Sequence, residues 1–184
     1  MQYAIRFALL RSSRPLAAAA LAAILGLASA PTAAAQMART LETSKNWSIH
    51  APTDTPVKVC FASTAPIDTK TTKRITRRGK AFLLVATFPQ QDVEGQIAVT
   101  LGFRADANKP LTLRVDDQNY KLFSEGADAW LDSPEDDAKV VRAMRAGAKA
   151  FVTATSASTG NRVTDEFSLV GFTVAERRSR ELCA

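Results

Sequence analysis

The sequence predicts a mainly β domain, an antiparallel sandwich or partly open barrel carrying one or two short helices. Three observations predict it. From residue 47 onward, short segments rich in β-branched and aromatic residues recur at regular spacing. Proline, glycine, asparagine or aspartate separates most of them. Helical periodicity is confined to two places, one near residue 140 and one at the C-terminus.

The first strand pair is read at residues 47–50 and 57–63, parted by Pro52, Asp54 and Pro56. In the second of these, period-two alternation puts Val57, Val59 and Phe61 on one face and Cys60 on the other. Residues 81–88 form a nearly continuous apolar run stopped by Pro89, the pattern of a strand covered on both sides. In 96–103, Ile97, Val99, Leu101 and Phe103 alternate cleanly. Residues 111–115 and 119–123 flank Asp116-Asp117-Gln118, a hairpin turn. Ser133-Pro134-Glu135-Asp136 then opens a helix, with Ser133 as N-cap, Pro134 at the first position and Asp136 placed for a capping box. Val140, Val141, Met144 and Ala148 follow at helical spacing, and Gly147 is the stop. Six acids and no base lie between Glu125 and Asp137, a solvated turn whose charge suits the helix dipole. A second hairpin is expected from 150–155 and 163–170 around Ser158-Thr159-Gly160-Asn161. Gly171 introduces a final helix, 172–182, with Phe172, Ala175 and Leu182 on one stripe.

Ahead of this domain the chain reads as an export signal. Residues 1–14 carry Arg6, Arg11 and Arg14 and no acid, 16–30 are apolar and alanine-rich, and Ala33-Ala34-Ala35-Gln36 offers a small-x-small cleavage site. The organisation expected is a cleavable signal peptide over 1–35, a polar flexible leader over 36–46 and one β-rich domain over 47–184. The apolar stretch is shorter than the ~20 strongly apolar residues of a spanning helix, so no membrane span is expected after processing. Three of the 24 basic residues and none of the 18 acidic ones lie in the signal, so its removal lowers the formal net charge from +6 to +3. Global charge is then a weak argument for nucleic-acid binding. Export also supplies an oxidising compartment, in which the only two cysteines, Cys60 and Cys183, are expected to form a disulfide.

The inventory for chemistry is thin. The sole histidine, His50, cannot build a zinc site alone, and two paired cysteines leave no ligand set. No cofactor is expected, and neither a G-x-S-x-G elbow nor a P-loop occurs. Asp116 and Asp117 are better explained by a hairpin tip than as an acid–base pair. One local charge run stands out: Lys70, Lys73, Arg74, Arg77, Arg78 and Lys80, with no acid among them. It reads either as a solvated loop between strands or as a patch for an anionic partner. Nucleic acid is disfavoured because the run has no interleaved aromatics. Trp130 reads as a core residue, with a partner anchor as the alternative.

The order of short motifs resembles the invasion-associated locus B family of exported bacterial proteins. The resemblance is carried by Trp47, Lys58-Val59-Cys60-Phe61 with Pro66, Arg78-Gly79, Phe88-Pro89 and Val99-Thr100-Leu101-Gly102-Phe103. It continues through Asp128-Ala129-Trp130, the segment 141–147, the segment 165–172 and Cys183, covering about the whole chain after the leader. It implies an envelope-associated protein of a Gram-negative bacterium, periplasmic or secreted, with a role in host-cell invasion in a pathogen and no catalytic residues to transfer. The Cys60 and Cys183 positions fit the family's cysteine pattern. The function expected is therefore a non-enzymatic module binding an envelope protein or an anionic envelope component. The alternatives are an envelope hydrolase built around His50 and an assembly factor with an open apolar groove or sheet edge.

Overall fold

The computed structural model describes residues 39–51, 58–73 and 77–184. The expected signal peptide and the first residues of the leader lie outside them. Twelve strands and two helices follow in the order β1 (Arg39–Ser44), β2 (Trp47–Ala51), β3 (Cys60–Thr64), β4 (Asp68–Thr71), β5 (Phe82–Phe88), β6 (Val93–Thr100), β7 (Thr112–Val115), β8 (Gln118–Lys121), β9 (Phe123–Glu125), β10 (Asp128–Trp130), α1 (Pro134–Ala146), β11 (Lys149–Thr155), β12 (Arg162–Ser168) and α2 (Phe172–Glu181). All pairings are antiparallel. They make a seven-stranded sheet, β1-β2-β3-β5-β6-β10-β9, and a five-stranded sheet, β4-β12-β11-β7-β8. Neither closes on itself among the described residues, so the fold is a sandwich of two open sheets.

Alternation along each strand fills the core. Trp47, Ile49, Ala62, Leu83, Val85, Ile97 and Val99 come from the larger sheet, and Leu113, Val115, Ala150, Val152 and Phe167 from the smaller. The helices add Val140, Val141, Met144, Phe172 and Ala175 to the same cluster. Trp47 is fully buried, with its ring 4.9 Å from that of Phe172. Its indole N–H donates to the Ser168 carbonyl at 3.1 Å, which removes the cost of burying a donor unpaired. The Ser133 hydroxyl accepts the Asp136 N–H and so caps α1, while the Asp136 carboxylate takes Lys139 at 2.7 Å.

Several elements differ from the expectations, each for a physical reason. Arg39–Ser44 forms β1 where a loose leader was expected. It is a largely exposed edge strand with no apolar alternation to read, tied down by Glu42 to Arg178 of α2 at 2.8 Å. Asp68–Thr71 forms β4, another edge strand whose four residues are all exposed. The expected strand 119–123 is broken at Leu122, which is buried and donates its N–H to the Leu111 carbonyl at 2.9 Å. There the chain leaves the smaller sheet at β8 and joins the larger one at β9. Gly147, by contrast, ends α1 as expected, with an extended backbone.

Cys60 and Cys183 form the expected disulfide, with both residues buried and Cα atoms 5.8 Å apart. The bond pins the end of α2 to β3 and closes a separation of 123 residues. A loop of that length corresponds to about 4–5 kcal/mol in the chain-entropy account, commonly less in practice.

Candidate functional site

The basic run folds into two environments, not one loop. Lys70 lies in β4, opposite Thr164 of β12. Lys73 follows that strand, and its backbone is gripped by Asn161, whose amide accepts the Lys73 N–H at 2.9 Å and donates to the Lys73 carbonyl at 2.7 Å. Arg77 and Lys80 are exposed on the approach to β5. Arg74 lies outside the described residues. None of Lys70, Lys73, Arg77 or Lys80 has an ion-pair partner among the described residues. Exposed Arg162 adds to them, since its N–H donates to the Thr72 hydroxyl at 3.1 Å and β12 pairs directly with β4. Arg162 was missed because in sequence it stands 92 residues beyond Lys70; only the β4–β12 pairing brings it to the end of β4.

Arg78 is different and does not belong to the exposed set. Its side chain is 12 % exposed and pairs with Asp165, which is 2 % exposed. The guanidinium grips both carboxylate oxygens, donates through Nε to the Leu101 carbonyl at 2.8 Å, and sits 5.2 Å from the Phe103 ring centre. Thr69 donates its hydroxyl to the same carboxylate at 2.7 Å. The flanking backbone is held by the Gly79 N–H to the Gly102 carbonyl at 2.8 Å. Gly102 has φ +73°, and a Cβ there would stand 2.3 Å from the Gly79 oxygen, so only glycine permits this approach. Arg78 is thus a strut between β12 and the larger sheet, fixing where its exposed neighbours sit.

His50 and Phe61 occupy the outer face of the larger sheet, with rings stacked at 4.5 Å. His50 Nε2 lies 3.0 Å from the Ser63 hydroxyl and Nδ1 lies 3.3 Å from the Thr40 hydroxyl. A hydroxyl–imidazole pair is a component of nucleophilic catalysis. Ser63, however, lies within β3, which is paired on both sides with β2 and β5. Its neighbouring amides are committed to the ladders and do not form an oxyanion hole there. Among the described residues no three His, Cys, Asp or Glu side chains gather as metal ligands, and no helix is long and apolar enough to cross a membrane. Trp130 is half-buried on the outer face of the larger sheet, opposite Phe123 of β9.

One buried acid has a shifted protonation. Asp137, in the first turn of α1, accepts the Ile97 N–H at 2.8 Å. Burial pushes its pKa from 3.8 to about 6, the Ile97 hydrogen bond opposes the shift, and the negative charge of Asp136 adds to it.

Similarity to known proteins agrees with this architecture. The family described as "Invasion associated locus B (IalB) protein" matches residues 47–179. No curated protein sequence matches the chain. Among solved structures, the crystal structure of invasion associated protein b from Bartonella henselae superposes with a TM-score of 0.52 at 21 % identity, covering 77 % of this chain and 96 % of that one. At that identity the likeness speaks for the fold. With the family match spanning well over half of the sequence, the chain belongs to the invasion-associated locus B family.

Proposed function

We propose that the protein is an exported, non-enzymatic binding module of the Gram-negative cell envelope that holds an anionic envelope component against the basic edge formed by β4 and its flanks. The observation that carries this reading is the set of exposed cations Lys70, Lys73, Arg77 and Lys80, with no ion-pair partner among the described residues and with Arg162 at the end of β4. Asn161 and the Arg78–Asp165 pair hold the backbone beneath them. Cations on a fixed backbone present a standing positive field and lose less entropy on binding than cations on a free loop. The signal-peptide pattern over 1–35 and the single disulfide support export to an oxidising compartment. The invasion named in the family description would then be one use of this contact in a pathogen.

The test neutralises the exposed cations and leaves the strut intact. Lys70→Gln, Lys73→Gln, Arg77→Gln and Lys80→Gln together should release the protein from the envelope fraction of intact cells, while its unfolding midpoint stays that of the parent. A variant that folds normally and still fractionates with the envelope would overturn the reading.

A further inference from the structure

At the edge of the smaller sheet opposite β4, a groove runs between β8 and α1. Gln118 and Tyr120 from the strand and Lys139, Arg142, Ala143 and Ala146 from the helix line a cleft of about 440 Å³. The four helical residues follow the spacing i, i+3, i+4, i+7 and so form one stripe along α1. Ala143 and Ala146 end at Cβ, which keeps the groove open along its helical wall.

The strand wall presents unspent backbone groups. Val115 and Gln118 face each other across the two-residue turn Asp116-Asp117, the hydrogen-bonded closing pair of a tight hairpin. Bonded and non-bonded pairs alternate from there, so Leu113 and Tyr120 are the next bonded pair. The Leu122 N–H to Leu111 carbonyl bond continues the same phase. Gln118 and Tyr120 therefore spend their backbone groups on β7, while Asn119 and Lys121 aim their N–H and C=O groups away from it. β8 is the last strand of its sheet, and no strand pairs with that side among the described residues.

The charge of the groove is positive. Arg142 is exposed and makes no ion pair among the described residues. Lys139 makes only a surface pair with Asp136, the kind that exchanges readily. The Tyr120 hydroxyl donates to Gln118 Oε1 at 2.6 Å, which leaves the Gln118 amide NH₂ as a further donor.

From these features we infer that the groove takes an extended acidic peptide, which adds to β8 as a sixth strand of the smaller sheet. The amides and carbonyls of Asn119 and Lys121 pair with the peptide backbone, an acidic side chain meets Arg142, and a small or aliphatic side chain rests over Ala143 and Ala146. A peptide fits better than a lipid or a glycan because donor and acceptor alternate along the open edge at backbone spacing. This inference does not rest on the basic edge, which lies at the other side of the same sheet.

The experiment is selection from a displayed library of random decapeptides on the purified protein, followed by synthesis of the enriched sequences. Their affinity is measured by fluorescence anisotropy, and amide exchange is followed at Asn119 and Lys121 by NMR. Enriched peptides should carry Asp or Glu and should slow exchange at those two amides. Arg142→Glu should weaken them about tenfold or more. Asn119→Pro, which removes one outward N–H without touching the bonds to β7, should also weaken them, with the unfolding midpoint reported for both variants. Failure to enrich any peptide, binding that leaves both amides exchanging freely, or binding that both folded variants retain would each overturn the inference.

Discussion

At the scale of single residues, Arg78 shows that a run of like charges can hold side chains with opposite duties. Among the five described residues of the basic run, only Arg78 is tied to a buried carboxylate. Removing it leaves the buried Asp165 charge with no counter-ion and only the Thr69 hydroxyl as a side-chain donor, and loss of one partner costs about 3–5 kcal/mol in comparable buried pairs. Arg78→Met should therefore lower stability by several kcal/mol in urea unfolding, whereas Lys73→Gln or Lys80→Gln should change it by less than about 0.5 kcal/mol. Equal effects for Arg78 and Lys73 would contradict the strut. Asp137 offers a second residue-level prediction. Its folded pKa, about 6, lies above the ordinary 3.8, so the fold favours the protonated form. The stability this contributes is present below pH 3.8 and is lost as pH rises through about 6. Asp137→Asn keeps an acceptor for the Ile97 N–H and removes the titration. It should be more stable than the parent by about 1–2 kcal/mol at pH 7.5, with the difference vanishing near pH 4. Parallel stability curves for the two proteins across that range would refute it.

At the scale of elements, the disulfide and α2 act as one unit. Cys183 lies two residues beyond the end of α2 and Cys60 begins β3, so the bond holds the helix over the larger sheet. Replacing both cysteines with alanine should lower stability by up to about 4 kcal/mol and raise amide exchange in α2 before the rest of the domain. The Glu42–Arg178 pair alone is exposed on both sides and cannot substitute for the covalent link. Unchanged exchange in α2 would argue against this. The sequence was informative wherever burial imposes a period. Ile97 and Val99 alternate because one face of their strand meets the core, and Ser133-Pro134 marks a helix start by backbone chemistry alone. It was silent at β1 and β4, whose edge positions leave nothing to alternate against. At β3 the alternation rightly put Cys60 and Phe61 on opposite faces, but did not say which face meets the core. In the structure Cys60 and Ala62 turn inward and Phe61 turns outward to His50. The basic site was half legible: charge is visible in a sequence, but the carboxylate that claims Arg78 stands 87 residues away.

At the scale of the whole molecule, the two edges of the smaller sheet face different chemistries. The β4 edge carries exposed cations on a fixed backbone, and the β8 edge sets open backbone groups beside a helical stripe. The larger sheet and both helices bury the core that keeps these edges in place. Binding at the basic edge should be electrostatic and hence weakened by salt, since exposed charges are screened beyond a Debye length. The most direct measurement is co-sedimentation of the purified protein with vesicles prepared from a Gram-negative outer membrane, at about 50 mM and about 500 mM NaCl. The parent should pellet with the vesicles at low salt and stay in solution at high salt. The folded variant lacking Lys70, Lys73, Arg77 and Lys80 should stay in solution at both. Co-sedimentation of that variant equal to the parent's at low salt would contradict the account.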